Sequence, residues 1–434
     1  MSAQQPKRAS SIAIVGGGIA GVVLTIALLK HCPHLQITLY ESASAFGEIG
    51  AGVGFQPVMV RTMALIDPRI AAAFEACIKG NEETDPPLWF TVRVGDQRKE
   101  NVTIGEEVFK IPSRIGPRGG VHRAHFLAEL AKLIPDGIAK FRKRVLNITK
   151  AEGSSEDDAI LHFADGSSAQ HTAIFGCDGI KSRIRPIVLA DASPAAAVFS
   201  GKCAYRGLVP MDKAIEILGK DEPLTPQLHL GYHGHVLTFP IANGKILNVV
   251  AFSSRSTWED STWVVQASEE DMLNDYKHWS PKVRALMANV QSPDIWALFD
   301  HPPASIYYRS DPLVCLVGDA AHASTPHQGA GAGMCIEDAY ILSQLLSTCR
   351  SRYSLKLALQ AYDAVRRPRS QMLVETSREA GMLWDFEGKS VGDDLIALEK
   401  NATTRMSWIW DHDIQSDLRR AELMMTMGGS VDVE

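Results

Sequence analysis

Residues 11–21 read Ser11-Ile12-Ala13-Ile14-Val15-Gly16-Gly17-Gly18-Ile19-Ala20-Gly21. The run Ser11–Val15 has the length and apolar character of a buried parallel strand, and Val22–Lys30 continues as a helix. Between them Gly16 permits a tight turn, Gly18 lets the backbone approach a pyrophosphate, and Gly21 allows close helix–strand packing. Free N–H groups at such a helix start hold phosphate charge. A second strand, Gln36–Tyr40, ends at Glu41, 20 residues after Gly21, where an acid accepts ribose hydroxyls. Glycine-rich turns also occur for purely structural reasons. The order strand, fingerprint, helix, strand, acid nevertheless predicts a dinucleotide-binding domain, without deciding between NAD and FAD.

Downstream, Phe46–Pro57 carries four glycines within eight residues, among them Gly52 beside Val53. That spacing suits a backbone passing close to a flat cofactor; a surface loop is the alternative. Arg123, at the head of an amphipathic helix reaching about Leu133, is placed to contact cofactor phosphate or ribityl oxygens, or to act as a helix-cap or surface arginine. Asp165-Gly166 marks a hairpin turn. Ala173–Cys177 returns to an apolar strand, and Asp178-Gly179-Ile180-Lys181-Ser182 then turns toward Arg183 and Arg185 as a second strand-end loop.

Lys202–Pro210, Gln227–Leu230, Val236–Ile241 and Ile246–Ser253 form a strand-rich block, with Asn243-Gly244 as a turn. This block predicts an inserted antiparallel sheet covering a substrate pocket. Leu313–Val317 restores the parallel-strand pattern and runs into Gly318-Asp319-Ala320-Ala321-His322, then Pro326-His327-Gln328-Gly329-Ala330-Gly331-Ala332-Gly333 and a helix to about Leu346. The expected organisation is α/β. A Rossmann-like nucleotide domain comprises 10–80, 111–190 and 301–350, a substrate domain 81–110 and 191–300, and a helical C-terminal region 351–434. Arg366-Arg367-Pro368 is expected to interrupt or bend that last region.

At 434 residues the chain exceeds the usual size of one domain. A net charge of -6 without a basic block gives no reason to expect nucleic acid. Seven scattered cysteines without CxxC favour reduced thiols, with Cys32, Cys177 and Cys203 as packing residues. No apolar run reaches membrane-spanning length, so a cytoplasmic location is expected. His412 between Asp411 and Asp413 converges poorly as a ligand set, and no metal is expected.

Three separated elements resemble the group A FAD-dependent aromatic hydroxylases: Gly16–Gly21 with Glu41; Cys177-Asp178-Gly179 with Ser182 and Arg185; and Gly318-Asp319. The blocks Ser200–Gly207, Gly234–Pro240, Ala320–Gly329, Ala402–Arg405 and Trp408–Asp413 are most similar to the salicylate-hydroxylating members. The resemblance runs essentially end to end. Gln56-Pro57-Val58 departs from it, since many relatives have asparagine after the proline. It implies a p-hydroxybenzoate-hydroxylase-like fold and tightly bound, non-covalent FAD. NADH is implied as a transient co-substrate, and O2 as oxidant by way of a C4a-hydroperoxyflavin. It assigns Arg123 to flavin binding, Asp178 to the pyrophosphate and nicotinamide route, Asp319 to the ribityl hydroxyls, and Pro326 with Gly331-Ala332 to the flavin ring. The implied reaction is decarboxylative hydroxylation of salicylate to catechol by a monomer or homodimer. A hydroxylase of 3-hydroxybenzoate or 6-hydroxynicotinate, or a flavin-binding protein without turnover, is the alternative.

His322 is the residue expected to face substrate, as a neutral imidazole accepting the phenolic proton; read without the resemblance, a structural histidine after the Asp turn is the favoured reading. His327 is expected in the loop or at a secondary pocket position. Pro326 would hold the loop against the reactive face. Arg206 is available for a carboxylate or for an interdomain salt bridge, and Trp89, Phe90 and Phe239 for an aromatic slot or for core.

Overall fold

The computed structural model describes residues 10–47, 52–78, 87–113, 119–151, 158–190, 193–242, 244–290 and 293–429. Residues 48–51 of the glycine-rich passage and Asn243 of the expected turn lie outside these.

A six-stranded sheet is ordered Tyr308–Ser310, Leu313–Leu316, Ala173–Gly176, Ser11–Val15, Gln36–Tyr40, Ala139–Lys140. All its pairs are parallel except the first. Ser11–Val15 lies between the partners Ala173–Gly176 and Gln36–Tyr40 and is buried along its whole length, as its unbroken apolar run requires. The helices Ile19–His31 and Gly331–Ser347 pack together against this sheet. Gly16 has φ +110°, and a Cβ there would lie 2.3 Å from the Cys177 carbonyl oxygen; one on Gly21 would lie 1.9 Å from that of Gly16. The turn and the helix approach therefore both require glycine.

An eight-stranded sheet is ordered Val264–Gln266, Asp294–Asp300, Val198–Pro210, Ile246–Ser254, Gly234–Ile241, Gln227–Gly231, Leu88–Val94, Glu107–Pro112. Its pairs are antiparallel with one exception: Gln227–Gly231 runs parallel to Leu88–Val94. The inserted antiparallel sheet is present as expected, and this one pair is parallel because Leu88–Val94 enters from a distant stretch of chain rather than through a hairpin. Side chains alternate between the two faces. Cys203, Tyr205, Val249 and Ala251 join Tyr276 and Trp279 in one core, while Ala204, Val250 and Phe252 turn to the other side.

The Asp165-Gly166 hairpin joins Ala159–Phe163 to Ser168–His171. The helix Arg352–Trp384 runs uninterrupted through Pro368, against the expected break. Buried ion pairs on either side of the proline anchor it: Arg366 to Glu337 and Asp338, and Arg369 to Glu337. Trp410 packs edge-on against Trp89, 5.3 Å between ring centroids. Among the described residues no helix is long and apolar enough to cross a membrane.

Candidate functional site

The six-stranded sheet and the eight-stranded sheet face each other across a cavity of about 1130 Å³. Its floor is the carboxyl end of the parallel strands, the position at which open α/β sheets take ligands. Gly16, Gly18, Glu41, Gly52, Val53, Arg123, Asp178, Asp319, Pro326, Gly331 and Ala332 all line it, brought together from six stretches of chain. Gly21 does not; it serves the packing behind the turn.

Two helix starts open into this end. Neither Ile19–His31 nor Gly331–Ser347 has a side-chain cap or an acid in its first turn. Their N–H groups are therefore left for a ligand, and the macrodipoles favour negative charge there. Glu41 is held at the strand end by the N–H groups of Gly17 and Ala43, each 2.6 Å from a carboxylate oxygen, and keeps lone pairs for hydroxyl donors. The cradle thus fits a dinucleotide with a diphosphate near Gly16–Ala20 and an electron-rich, hydrogen-bond-accepting ring edge near Gly331.

Asp178 accepts from Ser182 Oγ (2.6 Å) and from the Arg183 N–H (2.8 Å), so it also ties its own loop. Burial raises its carboxyl pKa. Arg185 is fully buried and donates to the carbonyls of Ala195, Pro302, Ala320 and Ala321. It fastens the 178–185 loop to the 319–322 turn, while Arg183 lines the cavity.

The other end of the cavity is an apolar chamber. Trp89, Phe90, Leu228, Leu237, Phe239 and Trp384 line it, so Trp89, Phe90 and Phe239 lie at the slot. Arg206 enters from the long strand Val198–Pro210, its guanidinium 4.7 Å from the Trp296 ring centroid. Its Nε is buried without a hydrogen-bond partner, and no ion pair to it is found among the described residues. Burial, reinforced by the positive charge of Arg123, brings its pKa down to about 10. A desolvated cation of this kind is a strong anion site. The salt-bridge reading of Arg206 gives way to an open one.

His322 is corrected. It does not line the cavity; its side chain has no exposure, and its Nε2 sits 2.7 Å from Asp338 Oδ2. Asp319 opens the short helix Asp319–His322 at the cavity, while the His322 ring at its end is drawn into the core by Asp338. The histidine that does reach the chamber is His327, one residue after Pro326. His235 joins it, with ring centroids 5.3 Å apart, and Phe252 stacks on His235 at 4.2 Å. Burial holds the His327 imidazole well below the usual histidine range, with Lys202 and Arg405 adding to it and Asp385 opposing it. Gly381 makes room for the His327 ring: a Cβ there would lie 2.6 Å from Nε2. Sequence reasoning passed over His235, although His235, Leu237 and Phe239 alternate at period two on the cavity face. Among the described residues, no cluster of His, Cys, Asp or Glu is placed to hold a metal.

The family model described as FAD binding domain matches residues 238–377. Salicylate hydroxylase of Pseudomonas putida is 40% identical over 439 residues, covering 98% of this chain and 96% of its own. The FAD-dependent monooxygenase orf3 of Aspergillus niger is 40% identical over 432 residues, covering 94% and 95%. Among solved structures, a salicylate hydroxylase substrate complex superposes with a TM-score of 0.82 at 33% identity, covering 96% of this chain and 98% of that one.

Proposed function

Since the chain belongs to the group A FAD-dependent aromatic hydroxylases, close to salicylate hydroxylase, we propose that it converts salicylate to catechol. The balance is one salicylate anion, NADH, O2 and two protons giving catechol, CO2, NAD+ and water. The observation that carries this reading is the chamber: an apolar, aromatic slot entered by the buried guanidinium of Arg206 and by two buried histidines, His235 and His327.

Gly16, Gly18, Glu41, Arg123, Asp178 and Asp319 would hold the diphosphate, ribose and ribityl parts of FAD. Gly52, Val53, Pro326, Gly331 and Ala332 would bound its ring. When bound, FAD takes reducing equivalents from NADH and makes O2 able to donate an oxygen atom, which side chains alone cannot do. The chain's residues do the rest. Arg206 pairs with the substrate carboxylate and fixes the ring in the slot. His327, kept neutral by burial, accepts the phenolic proton beside His235, which raises electron density at the ortho carbon that carries the carboxylate. The chamber walls exclude water, so peroxide loss is suppressed. The seven cysteines are all free thiols, which agrees with a reducing compartment such as the cytoplasm.

The test is anaerobic reduction by NADH with a panel of hydroxybenzoates and 6-hydroxynicotinate, then oxygen and product analysis. Salicylate is expected to accelerate reduction and to give catechol with stoichiometric CO2. Product from another acid of the panel with none from salicylate would move the assignment to that acid.

A further inference from the structure

Neighbouring strands give the chamber a ladder of side chains. His235, Leu237 and Phe239 of Gly234–Ile241 line the cavity, as do Asn248, Val250 and Phe252 of Ile246–Ser254. Leu237 pairs with Val250 and Phe239 with Asn248, so each pair makes a rung. His235 and Phe252, stacked at 4.2 Å, make the rung at the histidine end. Arg206 pairs with Val250 from the other side and joins the middle rung. Asn248 stands at the far end, four residues from Phe252 and so about 14 Å away along the strand.

An amide is out of place on such a ladder unless something answers it. Leu237, Phe239, Val250 and Phe252 are apolar, yet Asn248 is only 3% exposed, and its Nδ2 is buried without a hydrogen-bond partner among the described residues. Leaving a polar group unanswered in an apolar wall is costly. A ligand that supplies the missing bond removes the cost while it is bound, and one that lacks it is rejected. An amide both donates and accepts, and so does a hydroxyl.

We propose that Asn248 is a specificity-determining residue: its amide takes a hydroxyl at the ring carbon para to the phenolic oxygen, so the chamber selects salicylates that carry a second hydroxyl there. The inference rests on the reading of the chamber as a salicylate site. With the phenolic oxygen at His327 and His235 and the carboxylate at Arg206, the carbon opposite the phenolic oxygen points to the rung of Phe239 and Asn248. The carbon para to the carboxylate faces away from Arg206, to where Leu228 pairs with Leu237 and both are apolar. The added group leaves the reaction unchanged. The 2,5-dihydroxybenzoate anion, NADH, O2 and two protons give benzene-1,2,4-triol, CO2, NAD+ and water.

The test titrates oxidised holoenzyme with salicylate, 2,5-dihydroxybenzoate, 2,4-dihydroxybenzoate and 5-methylsalicylate, reading Kd from the flavin absorbance change. The ratio of two Kd values within one variant cancels general damage to the chamber. Wild type is expected to bind 2,5-dihydroxybenzoate about tenfold or more tighter than 5-methylsalicylate or the 2,4-isomer. Asn248→Leu, close in size, is expected to abolish or invert the preference for hydroxyl over methyl. Asn248→Asp, which still accepts from a hydroxyl, is expected to keep the preference while weakening every acid. If Asn248→Leu does not load FAD, Asn248→Ala gives the same reading. A wild-type ratio in the apolar variant, or no preference for the hydroxyl in wild type, overturns this inference and leaves the salicylate reading standing. An altered ligand-free flavin spectrum with an unchanged ratio assigns the amide to the flavin and overturns it too. Failure of every acid to bind overturns both readings.

Discussion

His322 Nε2 lies 2.7 Å from Asp338 Oδ2, and both side chains are wholly buried. Asp338 also accepts from the Gly318 N–H and from Arg366. The pair therefore pins the turn that presents Asp319 to the cavity, and His322 itself is not among the residues that line that cavity.

Removing either partner should show as lost stability. Asp338→Ala leaves the buried Arg366 with Glu337 alone and strips the buried His322 Nε2 of its partner, at a cost of roughly 3–5 kcal/mol. His322→Gln should lower the melting temperature while the folded, FAD-loaded fraction keeps wild-type catechol yield per NADH. A well-folded His322→Gln enzyme that consumes NADH without hydroxylating would restore His322 to the chemistry.

Acid should act through the same group. Burial pushes the Asp338 carboxyl up, but His322 and Arg366 outweigh it and hold the pKa at about 2. A carboxyl depressed in the folded state contributes stability above its unfolded pKa of about 3.9 and loses it as pH falls through the folded value. Denaturation midpoints against pH should therefore fall less steeply between about pH 4 and 2 in Asp338→Asn than in wild type.

His327→Ala should retain FAD yet lose coupled hydroxylation, with kcat down about 10²–10⁴-fold and NADH consumption diverted to peroxide. Because its imidazole is depressed, it stays neutral through the ordinary histidine range of about 6.5. The acid limb of the hydroxylation rate should accordingly fall below that pH. A limb near or above it, lost in His327→Ala, would contradict the assignment.

Gly381→Ala tests placement separately from chemistry. The new methyl would overlap the His327 ring, at a stability cost of about 1–3 kcal/mol. Product yield per NADH should drop although His327 itself is intact; undiminished coupling would show that the ring position is not critical.

Arg206→Met should raise the KM for the aromatic acid by roughly 10–100-fold, the value of a charge-assisted hydrogen bond of about 1.5–3 kcal/mol. Arg206→Lys should recover only part of this, since a point charge does not reproduce a planar fork. An unchanged KM in Arg206→Met would place the carboxylate elsewhere.

Local pattern carried the nucleotide half of the molecule. The strand Ser11–Val15, the fingerprint glycines, Glu41 and the Leu313–Leu316 strand before Gly318-Asp319 are each written in a few adjacent residues. Their chemistry depends on backbone geometry that glycine permits and other residues do not. The chamber was less legible. His235 was not singled out, and His322 was preferred to His327 because both follow the same turn and nothing local distinguishes them.

Sequence by itself thus determined the dinucleotide fold and the aromatic-hydroxylase resemblance, because period and glycine spacing act over short range. Tertiary structure alone decided which histidine lines the cavity. Asp338, sixteen residues on, draws His322 into the core, and Gly381, more than fifty residues beyond His327, opens the space for its ring. Hydrogen bonds from His235 through Asp385 and Lys202 to Glu387 likewise join residues up to 185 apart in sequence. Only packing brings such groups within hydrogen-bond reach.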